Sequence, residues 1–164
     1  MRSTFLKSRA FTLVETLIYI GIFGVFFITA VEFSLTVQQN NLRASYYKLI
    51  GNNIIYLSNH LDDSFKNSII VNPTLSIFSN PSGKIRLENG LNYYEYSLLN
   101  DQINFNKNGS NFLLIYDDVK VTSFYVEQVL NNNSIIVGTR ITINFESIKD
   151  SNVKSNMINM YYLR

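Results

Sequence analysis

Phe11 to Val31 constrains this chain more than any other stretch. It reads FTLVETLIYIGIFGVFFITAV and carries one charge, Glu15, near its start. At 1.5 Å of rise per residue a helix over these positions spans about 31 Å, close to the hydrocarbon thickness of a bilayer. The uncharged part alone, Thr16 to Val31, would span only about 24 Å, which is short. Either the span is marginal or Glu15 enters the membrane. A carboxylate there costs about 2.5–3.5 kcal/mol on insertion scales, so it calls for a partner and a purpose.

The ten residues before this stretch, MRSTFLKSRA, contain Arg2, Lys7 and Arg9 and no acid. These three charges exceed the net +2 of the whole chain, so residues 11–164 are left slightly negative. The basic balance therefore belongs to the leader and argues poorly for nucleic-acid binding. Positive residues stay on the cytoplasmic side, which predicts that the C-terminal bulk is translocated.

Lys7-Ser8-Arg9-Ala10 followed by Phe11-Thr12-Leu13-Val14-Glu15 resembles the processing site of type IV prepilins and type II secretion pseudopilins. The resemblance covers roughly residues 7–35. It implies that a prepilin peptidase cuts between Ala10 and Phe11 and methylates the new amine of Phe11. It also implies that Glu15 is the assembly residue. Ala10 stands where the family usually has Gly. Implied partners are the prepilin peptidase, other pilin or pseudopilin subunits, an inner-membrane assembly platform and the lipid bilayer. The implied location is the cytoplasmic membrane, with the C-terminal domain outside and then in an assembled pilus or pseudopilus.

Two readings of Glu15 stay open at this point. In one, its carboxylate pairs with the Phe11 amine of a neighbouring subunit in a desolvated filament core and so fixes axial register. In the other, Thr12-Leu13-Val14-Glu15 is a capping box, in which Thr12 caps the helix and Glu15 reaches back to its amide. Acid in a first helical turn is favoured by the macrodipole in either case. An ordinary secretory signal peptide, cut near Thr29-Ala30, and a plain single-pass anchor are the alternatives for the whole segment. Gly21 and Gly24 read equally as close helix contacts or as tolerated glycines of a membrane helix.

Beyond the span, Leu42, Tyr46, Leu49, Ile50, Ile54, Leu57, Leu61 and Phe65 recur at three and four, while Gln38, Gln39, Asn40, Asn41, Lys48, Asn52, Asn53 and Asn59 fill much of the other face. No proline precedes Pro73. One helix is predicted from about Thr12 to Asp63 or Phe65, with Gly51 and the two asparagines after it as its weakest point.

From residue 68 the period changes to two, with turn clusters between the runs. Predicted strands are Ser68–Val71, Leu75–Phe78, Lys84–Leu87, Tyr93–Leu99, Gln102–Asn106, Phe112–Tyr116, Val119–Val129, Ser134–Phe145 and Ile158–Leu163. Ile135, Val137, Thr139, Ile141, Ile143 and Phe145 should share one face. Residues 1–10 are then leader, 11–35 the membrane and assembly half of the helix, 36–65 its exposed amphipathic half, and 66–164 a β-rich extracytoplasmic domain. A long helix followed by antiparallel strands is α+β, and it is also the pilin-like architecture. Tyr93–Asn106 and then Asp117–Val126 weakly echo minor J-type pseudopilins of secretion and competence machines.

The chain has no cysteine, so an exported domain rests on its core or on neighbours in an assembly. His60, with Asp62 and Asp63 beside it, reads as a solvated helix end rather than a metal site. Asp117-Asp118 reads as a turn rather than a calcium pair, and Glu32 as a boundary residue ending the apolar run. Lys84, Arg86, Lys107, Lys120, Arg140, Lys149, Lys154 and Arg164 are scattered and form no run, so nucleic acid is not an expected partner. No nucleophile arrangement or phosphate loop is legible, so neither an enzyme nor a cofactor is expected. The function this supports is a structural, minor pilus or pseudopilus subunit. The alternative is a single-pass protein whose outward domain binds a ligand, a surface or DNA.

Overall fold

The computed structural model describes residues 12–115 and 118–163. The chain divides into two compact units, with the boundary between Leu42 and Arg43. Helix α1, Leu13–Lys66, crosses that boundary as one element. It is continuous at Gly51, where a side chain would meet nothing within 4 Å.

In the first unit the apolar side chains of α1 face outward. Leu13, Phe23, Phe26 and Phe33 are each about 70% exposed or more. This is the one described helix long and apolar enough to cross a membrane. Gly21 and Gly24 lie on open flanks.

The second unit is an α+β fold. Strands β1 (Ile70–Val71), β2 (Lys84–Asn89), β3 (Asn92–Leu99), β4 (Gln102–Lys107) and β5 (Ser110–Leu113) make a five-stranded antiparallel meander in that order. Strands β6 (Val119–Leu130), β7 (Ile136–Ser147) and β8 (Lys154–Tyr162) make a second antiparallel sheet. Tight turns set the registers. Asn100 and Asp101 both adopt positive φ, 50° and 59°, between Leu99 and Gln102. Asn108 and Gly109 do the same between Lys107 and Ser110. Asn and Gly favour such turns, whose twist matches that of the strands they join.

The two sheets meet through the segment before β2. Ser79 N donates to Val126 O (2.9 Å), Gly83 N to Phe124 O (2.8 Å), and Phe124 N to Pro81 O (2.8 Å). Val121 N donates to Asp101 O (2.7 Å), so β6 is covered along its outer edge. A single core joins Ile50, Leu57, Leu61 and Phe65 of α1 to Ile85, Tyr96 and Ile103 of the first sheet and to Phe124, Ile141, Ile143 and Phe145 of the second. Each such side chain contributes about 1.5–3 kcal/mol on burial.

The structure departs from the sequence reading at several places. Leu42 is exposed rather than on the packed face, and Asn53 is buried, with its amide donating to Leu49 O (3.0 Å). Leu75–Phe78 forms no strand beyond a bridge from Ile77 to Lys84. There Asn72 Oδ1 takes the amides of Thr74 and Leu75 and curls the chain after Pro73. β5 ends at Leu113, whereas the strand was expected to run to Tyr116, which lies outside the described residues. Ile135 is exposed in the β6–β7 loop, while Thr139, Ile141, Ile143 and Phe145 are buried as expected. β8 begins at Lys154, four residues earlier than its apolar content suggests. Its inward positions alternate Ser155, Met157, Asn159 and Tyr161, so two polar residues hide the period.

Candidate functional site

The candidate assembly site lies at the start of α1. Ala10 and Phe11, the expected cleavage and methylation positions, fall outside the described residues. Thr12 and Glu15 are described, and they form the reciprocal cap that their spacing allows. Thr12 N and Thr12 Oγ1 each donate to Glu15 Oε2 (2.9 Å for both), and Glu15 N donates to Thr12 Oγ1 (3.3 Å). Thr16 N donates to Thr12 O (3.2 Å), which closes the first turn. Among the described residues no cation reaches the carboxylate. Its Oε2 is thus occupied within the chain, while Oε1 accepts no hydrogen bond from a described residue. Such a group can cap its own helix and still accept a further bond from outside.

Downstream of Glu15, Tyr19, Ile22, Phe23, Phe26, Phe27 and Ala30 line one apolar strip of the helix, with Phe23 and Phe27 stacked at 6.4 Å. Glu32 follows where the apolar run ends, and its carbonyl accepts from Thr36 Oγ1 (2.9 Å).

His60 is not a solvated helix end. It is half-buried against Phe105, ring centroids 4.4 Å apart and edge-on. Its Nδ1 lies 2.7 Å from the hydroxyl of Tyr96, a fully buried residue of β3. The same hydroxyl lies 2.6 Å from Ser64 Oγ and donates to His60 O (3.1 Å). Burial is the main cause that holds the His60 imidazole below its ordinary pKa; Asp63 opposes this and Lys107 adds to it. Burial likewise pushes the Tyr96 phenol far up. A cleft of about 190 Å³ opens beside them, lined in part by Asp63, Asn67, Tyr94 and Lys107. The hydroxyls and Nδ1 here are spent on tying β3 to α1. No pattern in the sequence singles out Tyr96, which is one of eleven tyrosines.

The scattered cations are mostly matched. Glu146 of β7 sits between Lys120 of β6 (2.9 Å) and Lys154 of β8 (3.2 Å). Glu95 lies 3.1 Å from Lys84, and Arg86 Nε donates to Glu88 (2.8 Å). Arg140 faces Glu127, Arg43 meets Asp150, and Lys149 meets Asp118. Lys107 stands over the Tyr94 ring. Hydrogen bonds from Lys120 and Lys154 hold the Glu146 carboxyl below the usual range. Asp150 is also held low, first by the backbone of Asn152 and then by Arg43. Asp118 has φ 70° and lies in a turn; Asp117 and Arg164 are outside the described residues. No group of three or more His, Asp or Glu among the described residues is arranged to hold a metal ion.

Fold and site together define an α+β protein with one candidate membrane span. No protein-family model, no curated protein and no solved structure matches the chain.

Proposed function

We propose that the chain is a prepilin-like structural subunit, cut between Ala10 and Phe11 by a prepilin peptidase and polymerised through α1 into a pilus or pseudopilus. The observation that carries this reading is the junction itself. A basic leader ends in a small residue, and FTLVE then opens an unbroken helix whose first half presents apolar side chains on all sides. In a polymer that surface would be covered by neighbouring helices, and Glu15 would offer its carboxylate to the Phe11 amine of the adjoining subunit. The prepilin peptidase, sister subunits and a membrane platform are the partners this implies, and a minor role suits a cysteine-free, irregular, strand-rich domain.

The Thr12–Glu15 bonds favour a second reading, in which the carboxylate only caps its helix and the chain is a membrane-anchored binding module. Mass spectrometry of the N-terminus, from cells with and without the peptidase, separates the two. A methylated Phe11 terminus is expected only with the peptidase. An intact Met1, or a terminus near Ala30, rejects the proposal. Glu15→Gln keeps the cap and removes the charge, so incorporation into filaments should fall about tenfold or more, the equivalent of about 1.4 kcal/mol. Undiminished incorporation would leave the cap as Glu15's only role.

A further inference from the structure

Strand β8 is the outer strand of its sheet and pairs only with β7. Its ladder with β7 runs from Gly138↔Tyr162 to Glu146↔Lys154 without a register shift. Leu163 N donates to Val137 O (3.0 Å), its directly opposed partner. In an antiparallel ladder the residues that bond the neighbour alternate with residues whose N–H and C=O point away. Odd-numbered residues of β8 therefore address β7. Lys154, Asn156, Ile158, Met160 and Tyr162 turn both backbone groups outward. Among the described residues no hydrogen bond reaches any of those outward groups.

Long strands at sheet edges are ordinarily protected by charge, proline, a bulge or a covering segment. The other edges of this domain are protected. β6 is covered by Ser79, Pro81, Gly83 and Asp101, as described above. β1 has two residues and β5 four, too short to template much pairing. β8 has nine residues, no proline and no bulge, and its one charge, Lys154, stands at its end. Ile158, Met160 and Tyr162 on its exposed face are each about half exposed.

We propose that β8 pairs with β8 of a second copy of this chain, antiparallel and about a twofold axis at Ile158. This register pairs all nine residues of both strands. It sets Ile158 opposite Ile158, Asn156 opposite Met160, and Lys154 opposite Tyr162. No like charges face each other, and an ammonium is brought to an aromatic ring. Every outward backbone group meets its complement, because the axis passes through a pair whose groups both point outward. The two three-stranded sheets become one six-stranded sheet. Such an isologous contact closes on itself at two copies. It is independent of the membrane helix and of the function proposed above.

The test uses the full chain in detergent and a charge exchange at the axis. Ile158→Lys and Ile158→Glu each place like charges against themselves, at a side chain exposed enough to leave the fold intact. Each alone should lower the dimer fraction in analytical ultracentrifugation at least about tenfold, and mixing the two variants should restore it. Because the chain has no cysteine, Ile158→Cys also reports directly. Oxidation should cross-link it far faster than Leu91→Cys, a fully exposed position on the β2–β3 turn. A monomeric wild type would overturn the proposal. So would a dimer indifferent to both charges, or equal cross-linking at the two cysteines.

Discussion

Two residues test how this core handles polarity. Thr139 is fully buried in β7 and its hydroxyl finds no partner among the described residues. An unsatisfied buried hydroxyl is a cost that a methyl of the same shape removes. Thr139→Val should raise stability by about 1 kcal/mol, read from thermal unfolding; a loss of stability would mean that the hydroxyl is bonded. His60 is the converse, a half-buried polar group with its partner in place. Its folded pKa lies below the ordinary 6.5, while the unfolded chain takes up a proton near 6.5. Stability is therefore full above about pH 6.5 and is lost as pH falls through the lower folded value. Between pH 7.5 and 5.5 the melting temperature of the wild type should drop, and His60→Gln should flatten that drop. Equal slopes in the two proteins would remove His60 from the account. Glu146 and Asp150 act in a separate window. Their folded values are depressed, so their contribution is present above the ordinary carboxylate values of 4.5 and 3.8 and is lost as pH falls through the folded ones.

At the scale of elements, the contrast between two glycines shows what the fold demands. A side chain at Gly83 would lie 2.5 Å from the carbonyl oxygen of Phe124, in the segment that closes the edge of β6. Gly83→Ala should destabilise by about 1–3 kcal/mol, because backbone must shift to admit it. Gly51 sits in α1 with open space around it, and Gly51→Ala should stabilise by up to about 1 kcal/mol. Chemical denaturation of both variants checks the opposite signs; the same sign in both would contradict the packing described. The sequence made α1 legible because its apolar residues keep helical spacing from Leu49 to Phe65 and no proline interrupts them. The β2–β3 and β3–β4 hairpins were legible as period-two runs separated by short turn clusters, which contain Gly90 and Asn100-Asp101. The start of β8 was not, since Ser155 and Asn159 take inward places, and Asn159 is satisfied by a tertiary partner. Asn159 Nδ2 donates to Ser58 Oγ (2.8 Å) and to the Tyr161 hydroxyl (3.0 Å). No local pattern announces bonds between residues a hundred positions apart.

For the whole molecule, one long helix and a β-rich unit were both readable from a change of period near residue 68. The division of the strands into two sheets was not, because it depends on Ser79 and Gly83 finding β6. The candidate assembly site was readable as a motif, and its capping geometry followed from the spacing of Thr12 and Glu15. The grip of the sheets on α1 was invisible until the chain was folded. Ser58 is held from β8, and His60 and Ser64 from β3, so both sheets reach neighbouring turns of the helix. Apolar contacts tolerate sliding, whereas these bonds are directional and lie across the axis. Tension drawn along α1 would load them side by side in shear and not one after another. The C-terminal part of the helix is thereby pinned against both axial slip and rotation, as a keyed shaft is in its hub.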